Sequence, residues 1–597
     1  MDKNNFIGFG LIFILMIGWF VYTMPNEETR LQQKKELAAR DSLARIEAIQ
    51  RDSLERLEEK RTPQISDYDT QQAERKPIQT GLFSSSSVSE ESKFIVETPL
   101  YKVKFSNKGA GPIKFTLKEY NNWDGTPVQM IKDTTQAVYN FGFLTTENYN
   151  VDTQNLLFKQ VTRGAKLTVN EDDTKELQYA LELADGRQVL YTYLFYGDNY
   201  EIDLDVKFIG LADYIIGGAV DFSWTSGLNF TEKDKSQDAL ETAAFVYLAD
   251  ELEEFNLTKP DIDEVTYNGN IQWAATRTKF FTQLIKPLHD TEAAILNGQV
   301  TGDSDSPTAQ HTYTTTITSD ISSSNALSYK LFVGPMRYYE IKKVDEHAYD
   351  MVKVGYNWIR FFSDPFVRFI IIPFFTYLSL YIGNYGILII IFAATVKLIL
   401  TPLTLKSYRS MAAMREVQPL LKEIQDKYKD NPQKLQQETM KLYKREKVNP
   451  LGGCLPNLLQ FPILITLWRF FQNSIILRQE SFLWADDLSA PDYIINLPFS
   501  IPFLGESIAG FVLLMSAAMV VQSRLTGGMS TPGGGGGAMA QQMKIMQYIF
   551  PFMMLFIFNK FAAGLSLYYL VFNVLSILQQ YFINKKIHAK HAAVVVK

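Results

Sequence analysis

A single lysine lies inside an apolar stretch that is long enough to cross a lipid bilayer. The stretch runs from Asn384 to Thr404, reads NYGILIIIFAATVKLILTPLT, and has Lys397 as its one charge. An ammonium near mid-membrane costs roughly 2.5–3.5 kcal/mol on insertion scales, so such charges usually face a hydrated cavity or a partner. Because the three residues after Lys397 are apolar, we favour a cation in a polar groove of a helix bundle. The alternative is a lysine that extends its ammonium to the interface from about two turns inside the helix end.

Other kinds of chemistry find little support in the sequence. The one cysteine, Cys454, excludes an intramolecular disulfide framework and a cysteine-rich metal site. The five histidines form no HExxH or similar pair, and neither a GxxxxGK[ST] loop nor a GxSxG elbow occurs. We therefore predict that the protein is not an enzyme and has no cofactor or metal. A net charge of -6 over 597 residues also gives no overall basic footprint for nucleic acid.

The first 92 residues have the pattern of an anchor and a stalk. Phe6–Tyr22 is apolar and nearly long enough to span a bilayer. No small-x-small cleavage site follows it, so residues 1–25 indicate a retained signal anchor rather than a cleaved signal peptide. Residues 26–92 predict a charged helical stalk followed by a flexible linker rich in Gln and Ser. The stalk is either a short coiled coil or a solvated helix held by i,i+4 charge pairs.

The middle of the chain, residues 93–345, predicts an all-β domain of the sandwich type. Short runs of alternating apolar and polar residues recur there, such as FIVETPLYKVKFSN from Phe94 and YEIDLDVKF from Tyr200. The strand pattern continues to about Val333, and this length of about 240 residues is allowed for a single all-β domain. Carboxylates at positions 171–173 indicate a solvated loop rather than a metal site, because adjacent side chains point in different directions.

The last third of the chain predicts a polytopic α-helical membrane domain. Residues 346–384 contain an apolar segment that is interrupted by Pro373 and closely followed by the next span, so we expect an interfacial amphipathic helix there. Residues 385–597 contain five candidate spans, some shorter than about 20 residues. These spans are Gly386–Leu405, Leu455–Ile476, Ser507–Val521, Ile545–Phe558 and Gly564–Phe582. Together with the N-terminal anchor, they predict six transmembrane helices.

The distribution of basic residues predicts the orientation in the membrane. The polar segment Lys406–Pro450 carries eleven Lys and Arg residues, whereas the loop Glu480–Glu506 has none and is acidic. The positive-inside rule therefore places residues 406–450 and the basic C-terminal tail in the cytoplasm, and the acidic loop outside. Counting the spans back puts the β domain outside and the N-terminus inside.

Residues 406–450 are expected to form a helical hairpin that divides at Asp430-Asn431-Pro432. Apolar residues recur on its arms at helical spacing, including several methionines. Either the two arms bury this stripe against each other, or the stripe receives a partner, because methionine-rich faces serve both uses.

Several motifs resemble the YidC/Oxa-type membrane protein insertases. Three of them are NPLGGCLPNLLQFPILITLWR (Asn449–Arg469), FLWADDLSAPD (Phe482–Asp492) and GLSLYYLVFNVLSILQQYFI (Gly564–Ile583). They occur in the family's order, and the similarity runs from about Asp345 to the C-terminus. The middle domain resembles the periplasmic β-supersandwich of the Gram-negative members, most clearly at FSNKGAGPIKFTLKEY and LFVGP.

This resemblance implies an insertase and chaperone of the bacterial inner membrane that uses no energy source of its own. It implies a five-helix core with a hydrophilic groove that is open to the cytoplasm and to lipid. The implied substrates are nascent membrane proteins. The implied partners are the Sec translocon and ribosome or signal recognition components, which contact the cytoplasmic hairpin and the basic tail.

The resemblance also assigns groove residues. Lys397 stands where the family usually has arginine, which keeps the charge but loses the planar fork that suits a carboxylate. Members of the family often have a threonine one turn before that charge; here the position is Ala393, and Thr395 lies nearby on roughly another face.

Four further residues align with substrate-contacting positions of the family. Tyr568 and Tyr569 match its paired tyrosines, of which the second contacts substrate. Phe461 and Ile465 match the apolar slide along which a substrate segment enters the bilayer.

Two other functions remain as alternatives. A secondary transporter could use Lys397 as a coupling site, but no internal repeat is visible. A plain membrane anchor for the β domain would need neither an intramembrane charge nor a long cytoplasmic hairpin. An intramembrane protease is disfavoured because nucleophile and metal motifs are missing.

Overall fold

The computed structural model describes most of the chain after residue 89. The described residues are 83, 90–131, 135–302, 310–322, 324–428, 431–446, 455–501, 504–526 and 549–595. The predicted signal anchor and charged stalk lie outside them.

Twenty strands lie between Lys93 and Pro335 in the described part of the chain. In chain order they are β1 (Lys93–Glu97), β2 (Tyr101–Ser106), β3 (Gly111–Asn121), β4 (Pro127–Gln129), β5 (Tyr139–Leu144), β6 (Asn150–Asp152), β7 (Lys159–Gln160), β8 (Lys166–Thr168), β9 (Thr174–Glu182), β10 (Gln188–Tyr196), β11 (Glu201–Ile209), β12 (Ala219–Trp224), β13 (Ala243–Leu248), β14 (Glu251–Phe255), β15 (Asp261–Asn268), β16 (Ile271–Arg277), β17 (Phe281–Pro287), β18 (Thr291–Thr301), β19 (Gln310–Asp320) and β20 (Ala326–Pro335).

These strands form three sheets. Their orders are β4-β3-β2-β1-β8, β14-β13-β16-β17-β20-β11-β10-β9-β7 and β15-β18-β19-β12-β5-β6. Neighbours such as β9, β10 and β11 run antiparallel, whereas β1 and β8 run parallel.

Aromatic side chains fill the core of this domain. Along β10 every second residue is buried, and Tyr191, Tyr193 and Phe195 form the inward face. Phe141 of β5 stacks on Phe222 of β12 with ring centroids 4.5 Å apart. Because strand side chains alternate between faces, the period-two pattern in the sequence is what directs these rings to one side of each sheet.

Ten helices complete the described structure. They are α1 (Lys235–Glu241), α2 (Tyr338–Val344), α3 (Arg360–Phe366), α4 (Ile372–Ser379), α5 (Tyr385–Lys427), α6 (Pro432–Arg445), α7 (Leu455–Asn473), α8 (Gly510–Thr526), α9 (Ile549–Phe558) and α10 (Ala563–Val595). A π-helical turn, Val367–Ile371, joins α3 to α4.

Three described helical segments are long and apolar enough to cross a membrane. They are Arg360–Ser379, Tyr385–Pro402 and Ala563–Ile583, and α8 and α9 are shorter apolar helices. The count of six transmembrane helices and the interfacial position of residues 346–384 stay predictions.

The bounds predicted for three spans differ from the helices, and the span expected to end at Phe582 lies in a helix that continues to Val595. The span expected to end at Leu405 continues without a break into the first arm of the hairpin, so α5 is a single helix of 43 residues. The span expected to start at Ser507 starts at Gly510 instead. The preceding residues pair with a second strand and form a hairpin of β21 (Tyr493–Ile501) and β22 (Gly505–Ala509).

The two arms of the helical hairpin, α5 and α6, pack against each other. Val417 of α5 and Leu442 of α6 are both buried, with Leu421 and Ile424 packed against them. The stripe therefore serves packing between the arms at these positions, while Met440 is left 49% exposed.

Buried ion pairs connect the β domain to the end of α7. Glu241, at the end of α1, lies 2.7 Å from Arg277 of β16 and 3.1 Å from Arg469 of α7. Burial by itself would raise the pKa of Glu241, but the positive charges of Arg469 and Arg277 outweigh it and hold the pKa below its usual value. Just beyond α7, Arg478 pairs with Glu232 at 2.7 Å.

We predict that Glu241→Gln strongly destabilises the full-length protein, because it leaves the fully buried guanidinium of Arg277 without a counter-charge. Removing one partner of a buried pair typically costs about 3–5 kcal/mol. Unfolding in detergent, followed by the fluorescence of the buried Trp224 and Trp273, measures the change. The control is Glu182→Gln, since the pair of Glu182 with Lys159 is exposed and such pairs contribute about 0–1 kcal/mol.

The same network predicts a pH dependence with a definite sign. Because the pKa of Glu241 is lowered by folding, its contribution is fully present above the ordinary carboxyl range and is lost as the pH falls through the lowered value. The difference in stability between wild type and Glu241→Gln should therefore shrink on acidification. A difference that grows on acidification would contradict the assignment.

Candidate functional site

Lys397 lies in the contact between α5 and α10. The residue is only 6% exposed, and its ammonium donates a hydrogen bond of 2.7 Å to Oγ of Ser576. The same nitrogen lies 4.6 Å from the centroid of the Phe572 ring. The Ser576 hydroxyl in turn donates to the Phe572 carbonyl at 2.7 Å. The side chain thus extends across to the neighbouring helix rather than along α5 to its end.

The surroundings of the ammonium are polar but carry no opposite charge. Lys397 forms no ion pair with the residues that the structure describes, and its contacts there are one hydroxyl and one aromatic face. An ammonium has three protons to donate. A buried charge with this little compensation favours the approach of an anionic or strongly polar group.

Polar side chains continue from Lys397 along both helices. Thr401 donates to the Lys397 carbonyl at 2.8 Å, and Gln579 donates to Oγ1 of Thr404 at 3.2 Å. We call this set the polar strip, and its members are Lys397, Thr401 and Thr404 on α5 with Asn573, Ser576, Gln579 and Gln580 on α10.

Several amide atoms of the polar strip are buried without a hydrogen-bond partner among the described residues. They are Nδ2 of Asn573, Oε1 of Gln579 and Oε1 of Gln580. Buried polar atoms in proteins are nearly always satisfied, by protein or by water. The strip therefore has the capacity to bind water or the polar groups of a ligand.

Thr395 points elsewhere. Its hydroxyl donates to the Ile391 carbonyl of its own helix at 2.8 Å, and it makes no described contact with Lys397. Ala393 is fully buried. The described hydroxyl partner of the Lys397 ammonium is therefore Ser576 and not Thr395.

The paired tyrosines lie in the packed core beside the strip. Tyr568 is 1% exposed, and its ring centroid is 6.0 Å from that of Phe572, the ring beneath the Lys397 ammonium. Tyr569 turns towards α9, where its ring lies 5.7 Å from Phe558. Lys397 and Tyr568 therefore both lie next to the ring of Phe572.

The two residues matched to the apolar slide have different surroundings. Both lie on α7 one turn apart, yet Phe461 is 54% exposed and Ile465 only 8%. Phe461 is available to a molecule outside the helices, whereas Ile465 takes part in their packing.

The sequence contains a signal for the α10 half of the strip that a search for single charges misses. Polar residues recur along this apolar helix at i, i+3, i+7, i+10 and i+14, which is the spacing of one helical face. They are Ser566, Tyr569, Asn573, Ser576 and Gln580. On α5, Lys397, Thr401 and Thr404 repeat in the same way.

Comparison with known proteins identifies the family. Residues 377–590 match the family described as 60Kd inner membrane protein, and residues 93–369 match the YidC periplasmic domain. The chain is 34% identical over 592 residues to the membrane protein insertase YidC of Chlorobium phaeovibrioides, covering 98% of this chain and 95% of that protein. The chain belongs to the YidC family of membrane protein insertases.

A second YidC relative, from Prosthecochloris aestuarii, is 36% identical over 593 residues, with 98% of this chain and 95% of that protein covered. The crystal structure of an active YidC insertase with its first transmembrane domain resolved is 21% identical, with a TM-score of 0.33, covering 84% of this chain and 96% of that one. The predicted membership of the YidC family is confirmed, as is the presence of the family's periplasmic domain. The comparisons give the transporter alternative no support.

We predict that the polar strip is hydrated within the membrane. In a Cys454→Ser background, Gln579→Cys should react with a small water-soluble maleimide at least about tenfold faster than Leu578→Cys, because the thiolate forms only where water reaches it. Leu578 is the matched control. It is the neighbour of Gln579 on α10 and is 48% exposed, but we expect its face of the apolar segment to contact lipid. Equal rates at the two positions would show that the strip is dry.

Proposed function

We propose that this chain inserts membrane proteins into the bacterial inner membrane, and that Lys397 holds the acidic or polar tail of the substrate during insertion. The observation that supports this most directly is the buried ammonium of Lys397, whose described partners are a neutral hydroxyl and a ring. A carboxylate is the ligand that compensates such a charge best. The relatives named as insertases point to the same class of substrate.

The strength of the attraction depends on where the lysine lies. At a separation of 4 Å, two opposite charges interact by about 1 kcal/mol in water and by about 4 kcal/mol at an effective dielectric constant near 20. The unpaired amide atoms of Asn573 and Gln579 supply hydrogen bonds to the rest of a polar tail. Together they lower the cost of bringing such a tail into the membrane.

The apolar part of the substrate then enters lipid along α7, beside the exposed ring of Phe461. Burial of apolar surface contributes about 25 cal/mol per Å², which is a sufficient driving force for a transmembrane segment. The sequence shows no nucleotide-binding loop of the GxxxxGK[ST] type, in keeping with insertion driven by burial.

The proposed topology has six transmembrane helices, both termini and the hairpin in the cytoplasm, and the β domain in the periplasm. The end of α7 contacts the β domain through Arg469, and the cytoplasmic hairpin precedes the start of α7 in the chain. This arrangement favours opposite sides for the two. Exposed residues of α6, among them Met440, Lys441 and Lys444, provide a surface for the ribosome, signal recognition components or the Sec translocon.

We predict that Lys397→Met slows the insertion of a short single-span substrate with an acidic tail by about tenfold or more, equivalent to about 1.4 kcal/mol. Lys397→Arg keeps the charge and should retain most of the activity. The measurement is protease protection of the substrate in proteoliposomes that contain the full-length protein.

The control for this experiment is the same substrate with its tail carboxylates replaced by amides. If Lys397 acts through charge, Lys397→Met should have little effect on the neutral tail, so the two changes are coupled in a double-mutant cycle. An equal loss with both tails would assign Lys397 a structural role and contradict the proposal.

Ser576→Val and Thr395→Val separate the two hydroxyls. Ser576 accepts a hydrogen bond from the Lys397 ammonium, whereas Thr395 bonds its own helix. A hydrogen bond contributes about 0.5–1.5 kcal/mol, so Ser576→Val should change the insertion rate by roughly two- to tenfold. Thr395→Val should leave the rate unchanged. If Thr395→Val changed the insertion rate more than Ser576→Val does, Thr395 and not Ser576 would be the hydroxyl that acts in the site.

A further inference from the structure

The hairpin of β21 and β22 exposes apolar side chains outside the helices. Its first strand reads YIINLPFSI and has no charged residue. Tyr493 is 46% exposed, Ile494 52%, Ile495 41% and Phe499 59%. Contiguous apolar patches are uncommon on surfaces that face water and mark contact with a membrane or another molecule.

The second strand of this hairpin is held along its length. Asn559, which is fully buried just after α9, donates to the carbonyls of Leu504 at 2.9 Å and Ser507 at 2.7 Å. Its Oδ1 accepts the N–H of Ala509 at 2.9 Å. Three hydrogen bonds from one side chain thus fix β22, from the turn before it to its last residue, to the end of an apolar helix.

A second anchor lies on the β21 side. The carboxylate of Asp492, directly before β21, accepts the indole N–H of Trp484 at 2.8 Å and the N–H of Phe511 in the first turn of α8 at 2.7 Å. The Trp484 ring lies 4.6 Å from that of Phe511. Trp484 and its neighbour Leu483 are themselves 42% and 72% exposed.

The hydrogen bonds of Asn559 and Asp492 fix the position of the apolar surface of β21 relative to the ends of α8 and α9. β22 leads directly into α8, and Asn559 follows the last residue of α9, so the hairpin stands where two apolar helices end. Trp and Tyr are enriched at this level of membrane proteins, because their rings combine an apolar body with a polar group.

In the middle of the hairpin, two neighbouring residue pairs differ in polarity. Ile495 is paired with Ile508, and Asn496 with Ser507. Neighbouring residues on a strand point to opposite faces, so one face carries the isoleucine pair and the other a polar pair. Ser507 donates a hydrogen bond of 2.8 Å to the side-chain oxygen of Asn496.

We propose that the β21–β22 hairpin lies in the boundary between head groups and acyl chains of the leaflet on the β-domain side, with its isoleucine face towards the acyl chains. The occupant of the apolar surface is lipid. β22 leads directly into α8, an apolar helix, and the exposed aromatic residues and lack of charge of β21 fit that depth. The one charge on the two strands, Glu506, lies next to the turn at the start of β22. The hairpin then acts as an interfacial anchor of the membrane domain.

The test uses the full-length protein with Cys454→Ser, reconstituted in phosphatidylcholine and phosphatidylglycerol vesicles. An environment-sensitive NBD fluorophore is attached at Ile495→Cys, and at Asn496→Cys as the matched control on the opposite face. Ile262→Cys, 68% exposed on β15, serves as the remote control. Vesicles carry lipids with a nitroxide near the head or near the methyl end of the acyl chain.

We expect quenching at position 495 by the shallow nitroxide to exceed that at position 496 by roughly twofold or more, because amphipathic surfaces enter the boundary by only about 5–10 Å. The deep nitroxide should quench less, and position 262 should not be quenched. Phe499→Cys provides a second probe if labelling at position 495 disturbs folding.

Two results would overturn the proposal. Absence of lipid quenching at both positions 495 and 499 would place the hairpin in water. A blue-shifted emission that grows with the protein-to-lipid ratio, without lipid quenching, would show that a second copy of the chain covers the surface instead.

Discussion

The arrangement of polar side chains in the helical domain depends on the free-energy cost of burying one ammonium, that of Lys397, among apolar helices. Lys397 is nearly inaccessible, and the neighbouring helix supplies a hydroxyl and an aromatic face for it rather than a carboxylate. Such compensation is incomplete. The polar strip of α5 and α10 lies around this charge, within helical segments that are otherwise largely apolar. A buried ammonium without a carboxylate partner gains more free energy from the binding of an anionic group than a paired one does.

Carboxylates face the basic residues at the C-terminal end of α7. Arg469 and Arg478 contact the β domain, which is on the proposed periplasmic side, where basic residues are disfavoured. Glu241 and Glu232 of the β domain pair with them, although the Arg478 pair spans 246 positions of sequence. The β domain is thus joined to the helix that carries Phe461 by buried charges, which fix orientation more strictly than apolar contacts do. The same protein therefore contains arginines that are paired with carboxylates, Arg469 and Arg478, and a lysine, Lys397, that has no carboxylate partner among the described residues.

Features that depend on one residue or a strict period could be predicted from the sequence. The charge of Lys397 within an apolar run and the alternation along strands such as β10 are of this kind. Features that depend on a neutral partner from a distant helix could not, so the contact between Ser576 and Lys397 was not predicted. Thr395, expected near Lys397 but on roughly another face, was counted among the groove residues, and its hydroxyl bonds its own helix. The β21–β22 hairpin lacks a regular alternation, and its acidic flanks resemble a loop. The change to polar composition at Lys406 marks where α5 leaves the apolar region, not where the helix ends.

The unbroken course of α5 makes it a mechanical element. Its 43 residues form a rod of about 65 Å that carries Lys397 in its first third and an arm of the helical hairpin towards its far end. No loop lies between them to absorb a displacement. Pro402 and Pro419 lie inside the helix and each removes one backbone hydrogen bond, and Pro402 follows Lys397 by five residues. A force applied at the far end is therefore transmitted along the helix, and Pro402 is the nearer of the two interruptions to the charge.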